Sequence, residues 1–64
     1  MELSRLVRKH RNEMGITQAQ LAARAGVSVS TIEKMEEASH HIPFPDTAKK
    51  VAAALGIDWQ EFYP

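Results

Sequence analysis

Cysteine is absent from this chain of 64 residues, which excludes disulfide staples and thiolate metal sites. Long apolar runs are missing too. The longest, "VAAALGI", falls far short of the roughly 20 residues that a membrane helix needs, and the opening "MELSRLVRKHRNEM" lacks the apolar stretch of a signal peptide. The expected location is therefore the cytoplasm, with no membrane partner. Nothing pairs a serine with a histidine base, and there is neither a glycine-rich phosphate loop nor a nucleophile elbow. The expectation is a protein that is not an enzyme and takes no cofactor. Sixty-four residues allow one domain, spanning 1–64; Met1 and the short "YP" ending fit a complete small protein, with a domain cut from a larger chain as the alternative. Such a chain buries only about 60% of the surface its unfolded form exposes, so with disulfides excluded, oligomerisation is the expected aid to stability.

Net charge is also lacking, and a neutral chain does not hold a polyanion by bulk electrostatics. The distribution is uneven, however. Residues 1–35 carry Arg5, Arg8, Lys9, Arg11, Arg24 and Lys34 against Glu2, Glu13 and Glu33, a balance of +3, whereas residues 36–64 come to −3. One half thus suits an anionic partner and the other does not.

What is present is helical grammar. Leu3, Leu6, Val7 and Met14 follow helical spacing, and Gly15 stands where a left-handed stop belongs, giving a first helix over 2–14. Thr17 and Gln20 form a capping box, with Ile16 and Leu21 as the apolar staple across it, and the second helix ends at Gly26. Ser28 repeats the device with Val27 and Ile32, although Thr31 stands where a Glu or Gln would complete the box, and the third helix runs to about Glu36. The stripe Ala48, Val51, Ala52 and Leu55, begun by the "PFP" bend and stopped by Gly56, predicts a fourth. Asp58 starts a short fifth near Trp59, with Glu61 closing a box and Ile57 stapled to Phe62. No stretch alternates with period two, so the fold class is all-α.

The third helix is poor in apolar residues. Stepping 100° per residue, Ile32 and Met35 face inward, Ser30, Glu33 and Lys34 cluster opposite, and Val29 lies on the flank. An outward face that is small and polar at its N-terminal end suits a recognition helix, whose first residues meet base edges in the major groove. Here "TQAQLAARAGVSVSTIEKME" and the later "AALGIDWQEF" resemble the helix-turn-helix of the phage repressor and Cro type, the XRE-like regulators, from Arg5 to Phe62. The matching residues are Thr17-Gln18, Leu21-Ala22, Ala25-Gly26-Val27-Ser28, Ile32, Glu36 and Ala54-Leu55-Gly56.

The resemblance implies a five-helix domain, with the helix-turn-helix at helices two and three, that binds double-stranded DNA as a homodimer and regulates transcription as a repressor at a palindromic operator. It further implies that Gln18 bonds a phosphate, that Ser28, Val29, Ser30 and Lys34 approach the major groove, and that Arg11 pairs with Glu36. By their chemistry alone, Lys34 can donate to guanine and Val29 can touch a thymine methyl. Trp59, Phe62 and Tyr63 at the C-terminal end suit intramolecular packing, which the staple gives Phe62, and they also suit a subunit interface. For Arg5, Arg8 and Lys9 a solvated helix face is the expectation.

The chain departs from the family pattern after Glu36. Where many relatives place a glycine and a basic loop that grips DNA, residues 37–45 read "EASHHIPFP", so phosphate contact there is left open and binding is expected to be weaker than that of a basic relative at equal salt. His40 and His41 are adjacent on this loop and lack a metal-ligand spacing, so no metal is expected. Protonation of the two would add positive charge near a DNA backbone. A second function class, a protein-interaction module of adaptor or antitoxin type on the same bundle, fits the neutral charge and the acidic loop. A steep fall of DNA affinity with salt separates the two readings.

Overall fold

The computed structural model describes residues 3–37 and 44–63. Among them are four α-helices, α1 (Leu3–Met14), α2 (Gln18–Ala25), α3 (Val29–Met35) and α4 (Pro45–Leu55), followed by a 3-10 helix over Trp59–Phe62, and no strand. His40 and His41, with most of the loop they belong to, lie outside the described residues.

Local chemistry accounts for most of the boundaries. The Gln20 amide donates to Thr17 Oγ1 at 3.1 Å while the Thr17 amide donates to Gln20 Oε1 at 2.8 Å, so the capping box of α2 is complete. At α3 the Thr31 amide donates to Ser28 Oγ at 3.2 Å, and the two hydroxyls share a hydrogen bond at 2.9 Å in place of the missing carboxamide. Pro45 occupies the first turn of α4, where its lack of an N–H costs nothing, and Phe44 precedes it without a side-chain cap. Gly26, at φ 71°, ends α2 in the left-handed region, where an added Cβ would strain the backbone, and this reversal turns the chain into α3.

Two local expectations fail. The short last helix is present over Trp59–Phe62, as a 3-10 helix, but Asp58 accepts from the Gln60 amide at 3.0 Å instead of forming a box with Glu61. The cause is the tighter i to i+3 pattern, in which the Glu61 amide is taken by the Asp58 carbonyl at 3.0 Å. Met14 sits seven residues beyond Val7 on the same face of α1, yet it is 39% exposed, because the helix outruns the core.

The core gathers Leu6 and Val7 of α1, Ile16, Leu21, Ala22 and Ala25 around α2, Ile32 and Met35 of α3, Ala48, Val51, Ala52 and Leu55 of α4, and Phe62. α2 is the hub, packing on both α3 and α4, while α1 braces α3 and α4 from the other side and the 3-10 helix closes on α4. The small alanines of α2 and α4 let those two helices approach closely, and the larger Leu21, Ile32 and Val51 fill the space between elements.

Candidate nucleic-acid interface

With Ile32 and Met35 fully buried, the opposite side of α3 is left to solvent: Val29, Ser30, Glu33 and Lys34 are all exposed. Ser30 and Lys34 are four residues apart and stand one above the other on that side, with Val29 and Glu33 forming a parallel row. Val29 is 43% exposed, which leaves its methyl groups free for an apolar contact outside the domain. Four of the five residues expected at the interface, Ser28, Val29, Ser30 and Lys34, therefore lie together at the start and on the outer face of one helix. The Ser28 hydroxyl is already engaged in the cap of α3, which makes it a structural residue at the edge of that face.

Gln18 sits at the first position of α2, half-buried, and its Nε2 donates to Glu36 Oε1 at 3.3 Å. One amide hydrogen thus holds the end of α3, leaving the second for a partner outside. Glu36 is the centre of this arrangement. Its side chain is 2% exposed and accepts from Arg11 twice, Nε to Oε2 at 2.6 Å and Nη2 to Oε1 at 3.0 Å. Arg11 Nη1 donates in turn to the Ile16 carbonyl at 2.9 Å, which ties the α1–α2 connection into the same cluster.

Burial is the largest influence on the Glu36 carboxyl and pushes its pKa up, but it is outweighed by the hydrogen bond and charge of Arg11, the Gln18 hydrogen bond and the Arg8 charge. The net result holds Glu36 below the usual carboxylate range. The same hydrogen bond raises the pKa of Arg11 above its ordinary value, with burial opposing. The cluster therefore stays ionised and fixes α1, α2 and α3 to one another, so the outer face of α3 is presented on a rigid support.

Arg8 is where sequence reasoning fell short. Expected on a solvated face, it donates from Nη2 to the Glu36 main-chain carbonyl at 2.8 Å and places Nε 3.6 Å from Glu36 Oε1. It thereby satisfies a carbonyl at the open C-terminal end of α3. The only signal in the sequence was its i,i+3 spacing from Arg11. Arg8 is nonetheless exposed, as Arg5 and Lys9 are, so the face is solvated as expected and the contact with Glu36 is what the sequence did not show.

At the far end of the molecule, Trp59 and Tyr63 meet edge to face with ring centroids 5.6 Å apart, and Lys49 Nζ lies 5.1 Å from the Trp59 ring centroid. Phe62, grouped with them for an interface and also read as the staple partner of Ile57, is a core residue at 4% exposure, as the staple reading has it, because the short helix turns it inward onto α4. Among the described residues no group of three or more His, Asp or Glu side chains is placed to hold a metal ion, and no helix is long and apolar enough to cross a membrane.

A helix-turn-helix family model matches residues 7–62. The chain belongs to the helix-turn-helix family, in its phage repressor and Cro (XRE-like) branch. It is similar to an uncharacterized HTH-type transcriptional regulator of Methanothermobacter thermautotrophicus, 43% identical over 51 residues that cover 80% of this chain and 72% of that protein. It also resembles two proteins of Bacillus subtilis: the HTH-type transcriptional regulator SlrR, 34% identical over 61 residues (95% of this chain, 40% of that protein), and the HTH-type transcriptional repressor RghR, 39% identical over 54 residues (84% and 40%). The chain thus spans less than half the length of these two relatives. No solved structure matches it significantly.

Proposed function

We propose that this protein is a cytoplasmic, sequence-specific DNA-binding regulator of transcription, acting as a repressor by occupying its site, with α2 and α3 as the helix-turn-helix. The observation that carries the reading is the uncovered outer face of α3, with Val29, Ser30 and Lys34 exposed on a helix whose other face is fully buried. Such a helix enters the major groove while the helix before it crosses the backbone. Lys34 donates to acceptors on base edges, Val29 supplies an apolar contact for a thymine methyl, Ser30 adds an adaptable hydroxyl, and Ser28 sets the angle at which α3 begins. Gln18 gives its second amide hydrogen to a phosphate. The names borne by the relatives, transcriptional regulator and repressor, agree with this role.

A face of four side chains reads few base pairs, so the protein works as a homodimer on a palindromic operator, assembled through the region of Trp59 and Tyr63. The molecular extents, 26 × 20 × 20 Å, allow two copies side by side to set their α3 helices about one helical turn apart, roughly 34–36 Å. Selection of bound duplexes from a random pool tests the whole reading. Enrichment of a near-palindrome with that half-site spacing is expected, whereas no enrichment of any sequence overturns it.

A further inference from the structure

Between α4 and the 3-10 helix runs an open, mostly apolar groove of about 400 Å³, lined by Pro45, Trp59, Gln60 and Tyr63. Immediately before Pro45 stands Phe44, which at 83% exposure is the most exposed large apolar side chain among the described residues. A phenyl ring in water forgoes roughly 1.5–3 kcal/mol of burial that an apolar site would supply. One patch therefore carries both a projecting ring and a groove able to take one.

We propose that this groove receives Phe44 of a second copy of the chain, the two copies being related by a two-fold axis so that each ring fills the other's groove. The inference rests on the dimeric reading above and gives it an anchor. A two-fold contact is isologous, so a surface must complement itself, and a knob beside a hole satisfies that condition. Charge supports the same pairing. α4 presents Lys49 and Lys50 beside Asp46, while the 3-10 helix carries Glu61 and is capped by Asp58, all exposed, so the two elements flanking the groove carry largely opposite charge. A two-fold axis through the patch sets the lysines of one copy against the carboxylates of the other.

Area decides how strong the contact is. A stable interface buries about 800 Å² per partner with 20–30 residues a side, and this chain exposes 4021 Å² in all. Phe44 and the four groove residues among the described ones make a smaller contact. Self-association in free solution is accordingly weak, and it strengthens on DNA, where adjacent half-sites raise the effective concentration of one copy for the other.

The cysteine-free sequence provides a direct test. Phe44→Cys and Gln60→Cys proteins are prepared separately, mixed in equal amounts on the duplex recovered from the random pool, and also at high protein concentration without DNA, then mildly oxidised. Both positions are exposed and outside the core, so the variants keep the fold, which circular dichroism verifies. The expected result is a mixed disulfide in clear excess over the two like pairs together, the share that random collision gives. In parallel, Phe44→Ser is expected to lower the dimerisation constant about tenfold per ring lost. Should the mixed disulfide not exceed the two like pairs together and Phe44→Ser associate as the wild type does, insertion of Phe44 is overturned while a dimer of another geometry stands. A wild type that remains monomeric in sedimentation, alone and on the duplex, overturns both the insertion and the dimeric reading.

Discussion

Arg11 and Glu36 lie 25 residues apart in the chain and meet in a two-pronged ion pair, Nε to Oε2 at 2.6 Å and Nη2 to Oε1 at 3.0 Å, inside a cluster that Arg8 and Gln18 complete. Parallel hydrogen bonds between guanidinium and carboxylate fix orientation as well as distance. The pair therefore sets the position of the end of α3 relative to α1, and through Gln18 relative to the start of α2.

Removing one partner leaves the other buried without its counter-charge, which typically costs about 3–5 kcal/mol. Arg11→Ala is expected to fall near the lower end of that range, because Arg8 remains beside Glu36. Urea unfolding measures it. A loss no larger than about 1 kcal/mol, the size of an exposed pair, would show that the cluster contributes little to holding the helices together.

Glu36 also sets an acid limit. Its pKa is lowered by folding, so its contribution to stability is fully present above the unfolded carboxylate value of about 4.3 and is lost as pH falls through the lower folded value. Thermal midpoints of the wild type and Glu36→Gln, compared from pH 7 down to pH 3, are expected to converge in the acid range. A constant difference across that span would contradict the assignment.

Ser28 separates capping from recognition. Ser28→Ala removes the acceptor for the Thr31 amide and is expected to cost about 1 kcal/mol of stability, whereas Ser28→Asp restores an acceptor and keeps the fold. The aspartate, at the edge of the surface proposed to face DNA, should nonetheless weaken DNA binding by repelling phosphate. Chemical denaturation and duplex affinity, measured on both variants, read the two roles apart.

Lys34 and Gln18 are expected to fail differently. Lys34→Ala should lower affinity for the selected duplex by roughly 1–3 kcal/mol and relax the preference at one base position per half-site. Gln18→Ala should weaken all duplexes together, leave their order unchanged and reduce the salt slope only slightly, because a neutral amide releases no counterion. A panel of single-base variants of the duplex distinguishes the patterns, and re-ranking by Gln18 with Lys34 silent would reverse the two roles.

How far the sequence foretold these features depended on the range of the interactions involved. The Thr17–Gln20 box, the Ser28 cap and the left-handed Gly26 are settled within a few residues, so they could be read directly. The inward positions of Ile32 and Met35 followed from helical period alone. Arg8 could not be read in this way, because its partner is a main-chain carbonyl 28 residues away that only the packing of α1 on α3 brings within reach. The choice between α and 3-10 geometry after Asp58 turned on a single hydrogen-bond register in a four-residue segment. Phe62 had an apolar pattern compatible with both core and interface, and the packing of the 3-10 helix on α4 decided for the core.

The proposed function sets DNA against the outer face of α3, and nuclear magnetic resonance of the isotope-labelled protein, titrated with the selected duplex, tests that placement. Shift changes are expected to concentrate at Gln18, Ser28, Val29, Ser30 and Lys34. Changes confined to Trp59 and Tyr63, or spread evenly with α3 silent, would contradict it.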